Sequence, residues 1–281
     1  MPYIHVGEEN SGSIELYYED HGTGTPVVLI HGWPLSGASW ERQLQPLLNA
    51  GYRVISYDRR GFGHSSRPTV GYDYDSLALD LHHLLAKLDL RQVALVGFSM
   101  GGGEVVRYLG RYGSERVRKA VLISAVTPCL LKGDDNPEGV ELNVFDGIRK
   151  ALATDRPAFL SGFLADFFNV DQLGGKRVSS QAIQFCWNVA VGASPRGTYD
   201  CVAAWGTDFR KDLSRIEIPT LVIHGDADRI LPIGATGVRS HQLIRGSHLV
   251  VVGGGPHGLI WTHAENVNHE LLQFLGADQH H

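Results

Sequence analysis

Residues 93–103 read Val-Ala-Leu-Val-Gly-Phe-Ser-Met-Gly-Gly-Gly. The apolar run at the start is typical of a buried strand, and the residues after it favour a helix. Between them lies Gly97-x-Ser99-x-Gly101, whose glycines allow a turn tight enough to expose a serine hydroxyl at the end of the strand. Such a turn also leaves the N–H of Met100 free near the start of the helix. We therefore interpret Ser99 as a nucleophile, in preference to a capping serine in a glycine-rich helix start.

A serine nucleophile needs a base that takes its proton and an acid that orients the base. In strand–turn–helix sites of this kind, the acid and then the histidine follow the serine along the chain. His257 follows a predicted strand at 248–252, and Asp226 and Asp228 follow one at 220–223. Both loops leave the carboxyl ends of strands, the edge where open α/β sheets build their sites. We predict His257 as the general base and favour Asp228 as the acid, because Asp226 can bond to backbone N–H groups of its own loop.

A carbonyl that develops negative charge needs a second N–H donor opposite Met100. The run Leu29-Ile30-His31-Gly32-Trp33-Pro34 ends another strand and begins the loop that would supply this donor. Trp33 keeps its N–H, and the proline after it biases the Trp33 backbone toward an extended conformation. We predict Trp33 and Met100 as oxyanion donors, Pro34 beside the substrate, and His31 as a structural histidine.

Outside these motifs, short apolar strands alternate with amphipathic helices. We predict strands at 3–6, 14–18, 26–30, 53–57, 92–96, 119–123, 219–223 and 248–252, and helices at about 38–49, 76–89, 100–112 and 264–275. Runs of Val, Leu and Ile without alternation are typical of a parallel sheet covered on both faces, which indicates an α/β fold. The polar stretch 19–24 predicts a hairpin turn between the second and third strands.

The alternation of strands and helices stops between residues 126 and 216, where several short segments rich in aromatic residues favour helices. We predict a core of residues 1–125 and 217–277, with 126–216 as a helical cap, or lid, over the carboxyl edge of the sheet. Such a cap would form part of the substrate pocket. Besides Pro34, the residues that we predict near the substrate are Phe145, Phe159, Phe163, Ile230 and Leu259.

The composition excludes several classes of function. The chain has 281 residues and a formal net charge of −5, without the basic stripe that nucleic acid requires, so we expect no nucleic-acid partner. Its longest apolar runs have strand length, and its first residues lack the features of a signal peptide, so we expect no membrane association and a cytoplasmic location. No His-Glu-x-x-His motif occurs among the 14 histidines, and we predict neither a metal nor a cofactor.

Two smaller features concern cysteines and the last residues of the chain. The three cysteines contain no Cys-x-x-Cys pair, and we interpret them as free thiols. We interpret the terminal pair His280-His281 as the remnant of a tag and give it no role in the site.

Five motifs together resemble the α/β-hydrolase family: His31-Gly-Trp-Pro34, Asp58-x-Arg60-Gly61-x-Gly63-x-Ser65, Gly97-Phe-Ser-Met-Gly101, His224-Gly-x-x-Asp228 and Gly255-Pro-His-Gly258. The sequence is especially similar to the branch of cofactor-free haloperoxidases (non-haem chloroperoxidases), aryl esterases and γ-lactamases, over about residues 3–275. The resemblance implies an eight-stranded, mostly parallel sheet flanked by helices, with a helical cap. It also implies Ser99, Asp228 and His257 as a catalytic triad. The pair Gly102-Gly103 is more glycine-rich than usual and should cost about 1 kcal/mol of helix stability for each residue.

The resemblance further implies a serine hydrolase that acts on small carboxylic esters or lactams through an acyl-enzyme. It implies perhydrolase activity as well, in which hydrogen peroxide attacks the acyl-enzyme and the released peracid oxidises halide without a metal. An apolar pocket favours small, uncharged acyl substrates. The alternative is a non-catalytic member of the same fold that only holds a ligand. Which acyl compound is the natural substrate, and whether the chain forms a homo-oligomer, are left open.

Overall fold

The computed structural model describes residues 2–277, and the pair His280-His281 lies outside this range. The described residues form an α/β fold around an eight-stranded sheet with the order β1-β2-β4-β3-β5-β6-β7-β8. The strands are β1 (Tyr3–Glu9), β2 (Gly12–His21), β3 (Pro26–Ile30), β4 (Arg53–Tyr57), β5 (Val93–Phe98), β6 (Val117–Ile123), β7 (Thr220–Gly225) and β8 (His248–Val252). All eight predicted strands are confirmed, several of them with longer bounds.

The sheet has an antiparallel edge formed by β1 and β2, and its other six strands are mutually parallel. The predicted hairpin between β2 and β3 is wrong, because β2 pairs with β1 and β4. The tight turn lies between β1 and β2 instead, where Asn10 and Ser11 have positive φ angles of 50° and 64°. Residues 19–21 extend β2 and pair with β4. Their polar side chains do not prevent this pairing, because it uses backbone groups.

The helices in the described part of the chain are α1 (Glu41–Asn49), α2 (Tyr74–Lys87), α3 (Met100–Tyr112), α4 (Leu142–Phe167), α5 (Val170–Leu173), α6 (Ser180–Val191), α7 (Pro195–Ala204), α8 (Arg210–Leu213), α9 (Gly237–Leu243), α10 (Leu259–Thr262) and α11 (Ala264–Gly276). The four predicted helices correspond to α1, α2, α3 and α11. A 3₁₀ turn at Gly37–Trp40 precedes α1. None of the helices within residues 2–277 is long and apolar enough to cross a membrane.

The helices α4 to α8 lie between β6 and β7 in the chain. The longest, α4, bends at Asp155, whose φ and ψ angles of −151° and 83° are not helical. Pro157 follows closely, and its ring and missing N–H are incompatible with an uninterrupted helix. At the end of α4, Phe167 and Phe168 are fully buried, so these helices share a core with the sheet.

The parallel part of the sheet brings three loops to one edge. Ser99 directly follows β5, Asp228 follows β7, and His257 follows β8. Because parallel strands share one carboxyl edge, residues far apart in the sequence meet there. The strands β5 and β7 are buried along their whole length, which gives these loops a rigid base.

Candidate active site

Ser99 lies in a sharp turn between β5 and α3. Its φ and ψ angles of 55° and −117° are rare for a residue with a side chain and indicate local strain. A Cβ atom at Gly97 would lie 2.5 Å from the carbonyl oxygen of Gly101, and one at Gly101 would overlap the carbonyl oxygen of Ile30. The glycines on both sides of the serine are therefore required by close backbone packing.

The ring of His257 is fully buried, and its Nε2 atom lies 2.9 Å from Oγ of Ser99. Phe98 and Phe167 flank the ring, with centroids 5.2 and 5.1 Å away. Gly258 lets the loop approach α4, because a Cβ atom there would lie 2.6 Å from the ring of Phe167. The imidazole is thus held within hydrogen-bond reach of the serine, where a base can take the hydroxyl proton.

Asp228 lies on the other side of His257, and its Oδ2 atom accepts a hydrogen bond from Nδ1 at 2.8 Å. The Oδ1 atom accepts from the backbone N–H groups of Ile230 and Leu231, at 2.9 and 2.8 Å. Burial raises the pKa of Asp228, but the charge of His257 and the hydrogen bonds from His224 and His257 outweigh it and hold that pKa below its ordinary value. The ionised carboxylate fixes the hydrogen of His257 on Nδ1, which leaves Nε2 to face Ser99.

Asp226, the other candidate acid, contacts a different group. Its Oδ1 atom accepts a hydrogen bond from the N–H of Gly254 at 2.7 Å. This bond connects the loop after β7 to the loop that carries His257. The structure therefore brings Asp228, and not Asp226, into contact with the histidine.

A second histidine also contacts the acid. His224, near the end of β7, is fully buried, and its Nε2 atom lies 3.2 Å from Oδ2 of Asp228 and 2.9 Å from the carbonyl oxygen of Leu231. No role for His224 was predicted from the sequence. The motif His224-Gly-x-x-Asp228 was the available signal. The loop after β7 folds back onto the end of the strand, which brings these two residues together.

The predicted oxyanion donors belong to two segments next to Ser99. Met100 is the first residue of α3, so its N–H has no acceptor within the helix. The loop that contains Trp33 passes beside the serine, since a Cβ atom at Gly32 would lie 3.0 Å from Cβ of Ser99. The peptide bond between Trp33 and Pro34 is cis. Both residues therefore lie in segments beside the serine, as oxyanion donors must.

A buried polar cluster anchors the loop before Trp33. His31 donates from Nδ1 to the carbonyl oxygen of Gly32 at 2.8 Å, and its Nε2 accepts from the N–H of Arg59 at 3.0 Å. The Arg59 guanidinium donates to the carbonyl oxygen of His31 at 2.6 Å and pairs with Glu104. Burial and the charge of Arg59 hold the pKa of His31 well below its ordinary value, so the ring stays neutral. These contacts agree with a structural role for His31.

One cavity is lined by Ser99, and a second cavity lies on its outer side. The inner cavity has a volume of about 30 Å³, and the outer cavity has a volume of about 450 Å³. The inner cavity is lined by Trp33, Ser99, Met100, Val126, Phe163, Trp205, Ile230 and Leu231. The last four of these residues also line the outer cavity, together with further apolar residues of α4 and with Asp166 and Arg229.

The predicted pocket residues found in these walls are Phe145, Phe159, Phe163 and Ile230. Pro34 and Leu259 line neither cavity. Both are buried, and Leu259 is enclosed in the core at the start of α10. Trp205 and Val126 were missed, although Val126 follows β6 at the same sheet edge as Ser99.

Comparisons with known proteins agree with this architecture. A family model described as the alpha/beta hydrolase fold matches residues 25–264. A Synechocystis sp. protein, provisionally named a non-heme chloroperoxidase, is 63% identical over 98% of this chain and 100% of its own. The "Bifunctional esterase/perhydrolase DCH" of Acinetobacter calcoaceticus is 36% identical over 93% of this chain and 96% of its own length.

 

A solved structure supports the same relationship. The crystal structure of a bromoperoxidase from Bacillus anthracis superimposes with a TM-score of 0.93 at 50% identity, covering 97% of this chain and 98% of that one. The matched family model, the relatives along almost the full length and the strand order lead to one conclusion: the chain belongs to the α/β-hydrolase family.

Proposed function

We propose that the protein is a serine hydrolase that acts on small carboxylic esters or lactams through an acyl-enzyme on Ser99. The observation that carries this proposal is the hydrogen-bonded series from Ser99 through His257 to Asp228. Ser99, at the start of the series, lines an apolar cavity. An isolated serine hydroxyl is a weak nucleophile, and this arrangement supplies the base and the orienting acid that it needs.

In the proposed reaction, Oγ of Ser99 attacks the substrate carbonyl carbon while Nε2 of His257 takes the hydroxyl proton. Asp228 stabilises the imidazolium, and the N–H groups of Trp33 and Met100 donate to the oxyanion. The proton then passes from His257 to the leaving alcohol or amine, and the acyl group stays on Ser99. Water, activated by the same histidine, attacks the acyl-enzyme and releases the acid.

We also propose perhydrolase activity, in which hydrogen peroxide replaces water in the second half of the reaction. His257 takes a proton from the peroxide, the bond between the acyl carbon and Oγ of Ser99 breaks, and a peracid leaves. The proton returns to the serine oxygen, so the enzyme is regenerated, and the peracid oxidises halide in solution. The names of the peroxidase and perhydrolase relatives support this step.

The substrate that we propose is small and uncharged near its acyl carbon. The narrow inner cavity has room for about two water molecules, and apart from Ser99 its side chains are apolar. The wider outer cavity would take the alcohol part of an ester or the ring of a lactam. We propose that residues 126–216 act as the cap over this site, since Phe163 and Trp205 lie in both cavity walls.

A fluorophosphonate probe tests the proposed nucleophile directly. We expect the probe to label Ser99, and we expect Ser99→Ala to abolish both labelling and ester hydrolysis. Parallel assays with an ester, a lactam, and acetate with peroxide and bromide would rank the three activities. Labelling at another residue, or full ester hydrolysis by Ser99→Ala, would contradict the proposal.

A non-catalytic ligand-binding role is the second candidate, and it predicts binding without turnover in all three assays.

We further propose a cytoplasmic location, because the cysteines are free thiols, the state that a reducing compartment maintains. Cell fractionation tests this location.

A further inference from the structure

We propose that His224 is a positioning residue for acyl transfer, which holds the Asp228 carboxylate in the orientation that His257 requires. The proposal rests on the serine-hydrolase function above and extends its hydrogen-bonded series by one residue. Nothing in the proposed reaction steps uses this histidine, although it is fully buried against the acid.

The contacts of His224 determine which ring nitrogen carries its hydrogen. Its Nε2 atom faces two acceptors, Oδ2 of Asp228 at 3.2 Å and the carbonyl oxygen of Leu231 at 2.9 Å. Its Nδ1 atom is buried and has no hydrogen-bond partner among the described residues. A Cβ atom at Gly237 would lie 2.7 Å from this Nδ1, so α9 packs closely on that side of the ring. The two acceptors at Nε2 therefore indicate that this nitrogen of His224 carries a hydrogen and donates it.

This donor completes the environment of the carboxylate. Oδ1 of Asp228 accepts two backbone N–H groups, Oδ2 accepts from His257, and Nε2 of His224 lies 3.2 Å from the same Oδ2. With donors on both oxygens, the carboxylate cannot rotate without losing hydrogen bonds in a buried site, where each unpaired group is costly. Without His224, Oδ2 would keep His257 as its side-chain donor, and the carbonyl of Leu231 would lose its partner.

The effect should fall on the chemical step. The imidazolium of His257 forms as the serine attacks, so an acid that orients it poorly stabilises the transition state less than the bound substrate. His224 does not line either cavity, so its loss should change substrate binding little.

Two substitutions separate positioning from packing. His224→Leu fills the space with an apolar side chain and removes the donor, whereas His224→Gln keeps an N–H donor close to the original Nε2. We expect His224→Leu to lower kcat about 10- to 100-fold, the range found when a hydrogen-bonding group behind a metal-ligating histidine is removed, with little change in KM. We expect His224→Gln to recover most of the loss. An unchanged kcat in His224→Leu, or equal losses in both variants, would overturn the proposal.

His241→Leu is the matched control. His241 lies on α9 and bonds to Oγ of Ser247 at 2.8 Å, so this variant also removes a histidine hydrogen bond, but away from Asp228. We expect its kcat to equal that of the unaltered protein. A loss of kcat as large as that of His224→Leu would show that removing a histidine hydrogen bond far from Asp228 has the same consequence. That result would overturn the proposal.

A spectroscopic measurement keeps the proposal testable if His224→Leu does not fold. Nitrogen-15 NMR of the unaltered protein should show that the His224 ring carries a hydrogen on Nε2. Hydrogen on Nδ1 instead would overturn the proposal. This measurement needs no turnover, so its result is independent of whether Ser99 proves to be the nucleophile.

Discussion

Asp226 and Asp228 stand on one loop, yet they hold different partners. Asp228 accepts from His257, and Asp226 accepts from the N–H of Gly254. We expect Asp228→Asn to lower kcat by about 10⁴-fold, because an amide no longer stabilises the required histidine tautomer and its positive charge. Asp226→Asn keeps an oxygen that can accept from Gly254, so its kcat should change little. Steady-state ester hydrolysis checks both, and the opposite ranking would identify Asp226 as the acid.

The site residues differ in how far the sequence could predict them. Ser99 and His257 stand in glycine-rich loops directly after strands, where local sequence determines both the turn and the exposed side chain. Trp205 could not be assigned in this way, because its place in the cavity wall depends on packing between distant elements. The contacts of His224 are local, but its sequence motif does not show that the loop folds back onto the end of β7. Leu259 shows the same limit, since an apolar residue near His257 fits a pocket wall and a core position equally well.

At the scale of elements, α3 depends on glycines that weaken an isolated helix. A Cβ atom at Gly102 would overlap Cβ of Ala125, and one at Gly103 would lie 2.5 Å from the ring of Tyr74. The unusual glycine pair Gly102-Gly103 therefore has a structural reason. The glycines let α3 pack closely against α2 and the segment after β6, which supports the turn at Ser99.

We expect Gly102→Ala to lower the free energy of unfolding by about 1–3 kcal/mol, the usual cost of overpacking a tight contact. Gly147→Ala is the matched control, because Gly147 lies inside α4 and has no atom within 4 Å of a new Cβ. It should instead raise the free energy of unfolding by about 0.5–1 kcal/mol through better helix propensity. Chemical denaturation measures both, and a gain in stability for Gly102→Ala would refute the packing explanation.

Strands and long helices could be predicted because their patterns are local, but pairing could not. The polar stretch after residue 18 fits a turn by composition, yet β2 continues through it to pair with β4. Short helices such as α9 and α10 were missed, since so few residues carry little of the helical period.

At the scale of the molecule, the segment between β6 and β7 contacts each loop of the candidate site. The Trp33 indole donates to the carbonyl oxygen of Thr198 at 3.1 Å. The N–H of Gly258 donates to the carbonyl oxygen of Phe167 at 2.7 Å. Asn169 donates from Nδ2 to the carbonyl oxygen of Ala227, beside Asp228, at 2.9 Å. These hydrogen bonds therefore stabilise the loops that carry Trp33, His257 and Asp228.

Asn169→Gly tests whether the segment between β6 and β7 stabilises the site. Asn169 has left-handed φ and ψ angles of 48° and 53°, which glycine adopts easily, so the variant removes the hydrogen bond without adding strain. We expect a loss of about 1 kcal/mol in the free energy of unfolding and a severalfold slower reaction of Ser99 with a fluorophosphonate. Asp200→Asn, which removes an ion pair with Arg196 on α7, should leave the reaction rate unchanged. Equal rates in all three proteins would show that the segment does not support the site.

Mass spectrometry of the protein quenched during turnover of an activated acetate ester detects an acyl-enzyme on Ser99. We predict that the peptide containing Ser99 gains the mass of one acetyl group, and that this gain is absent in Ser99→Ala. Turnover without an acetylated Ser99 peptide, or with the acetyl group on another residue, would contradict this prediction.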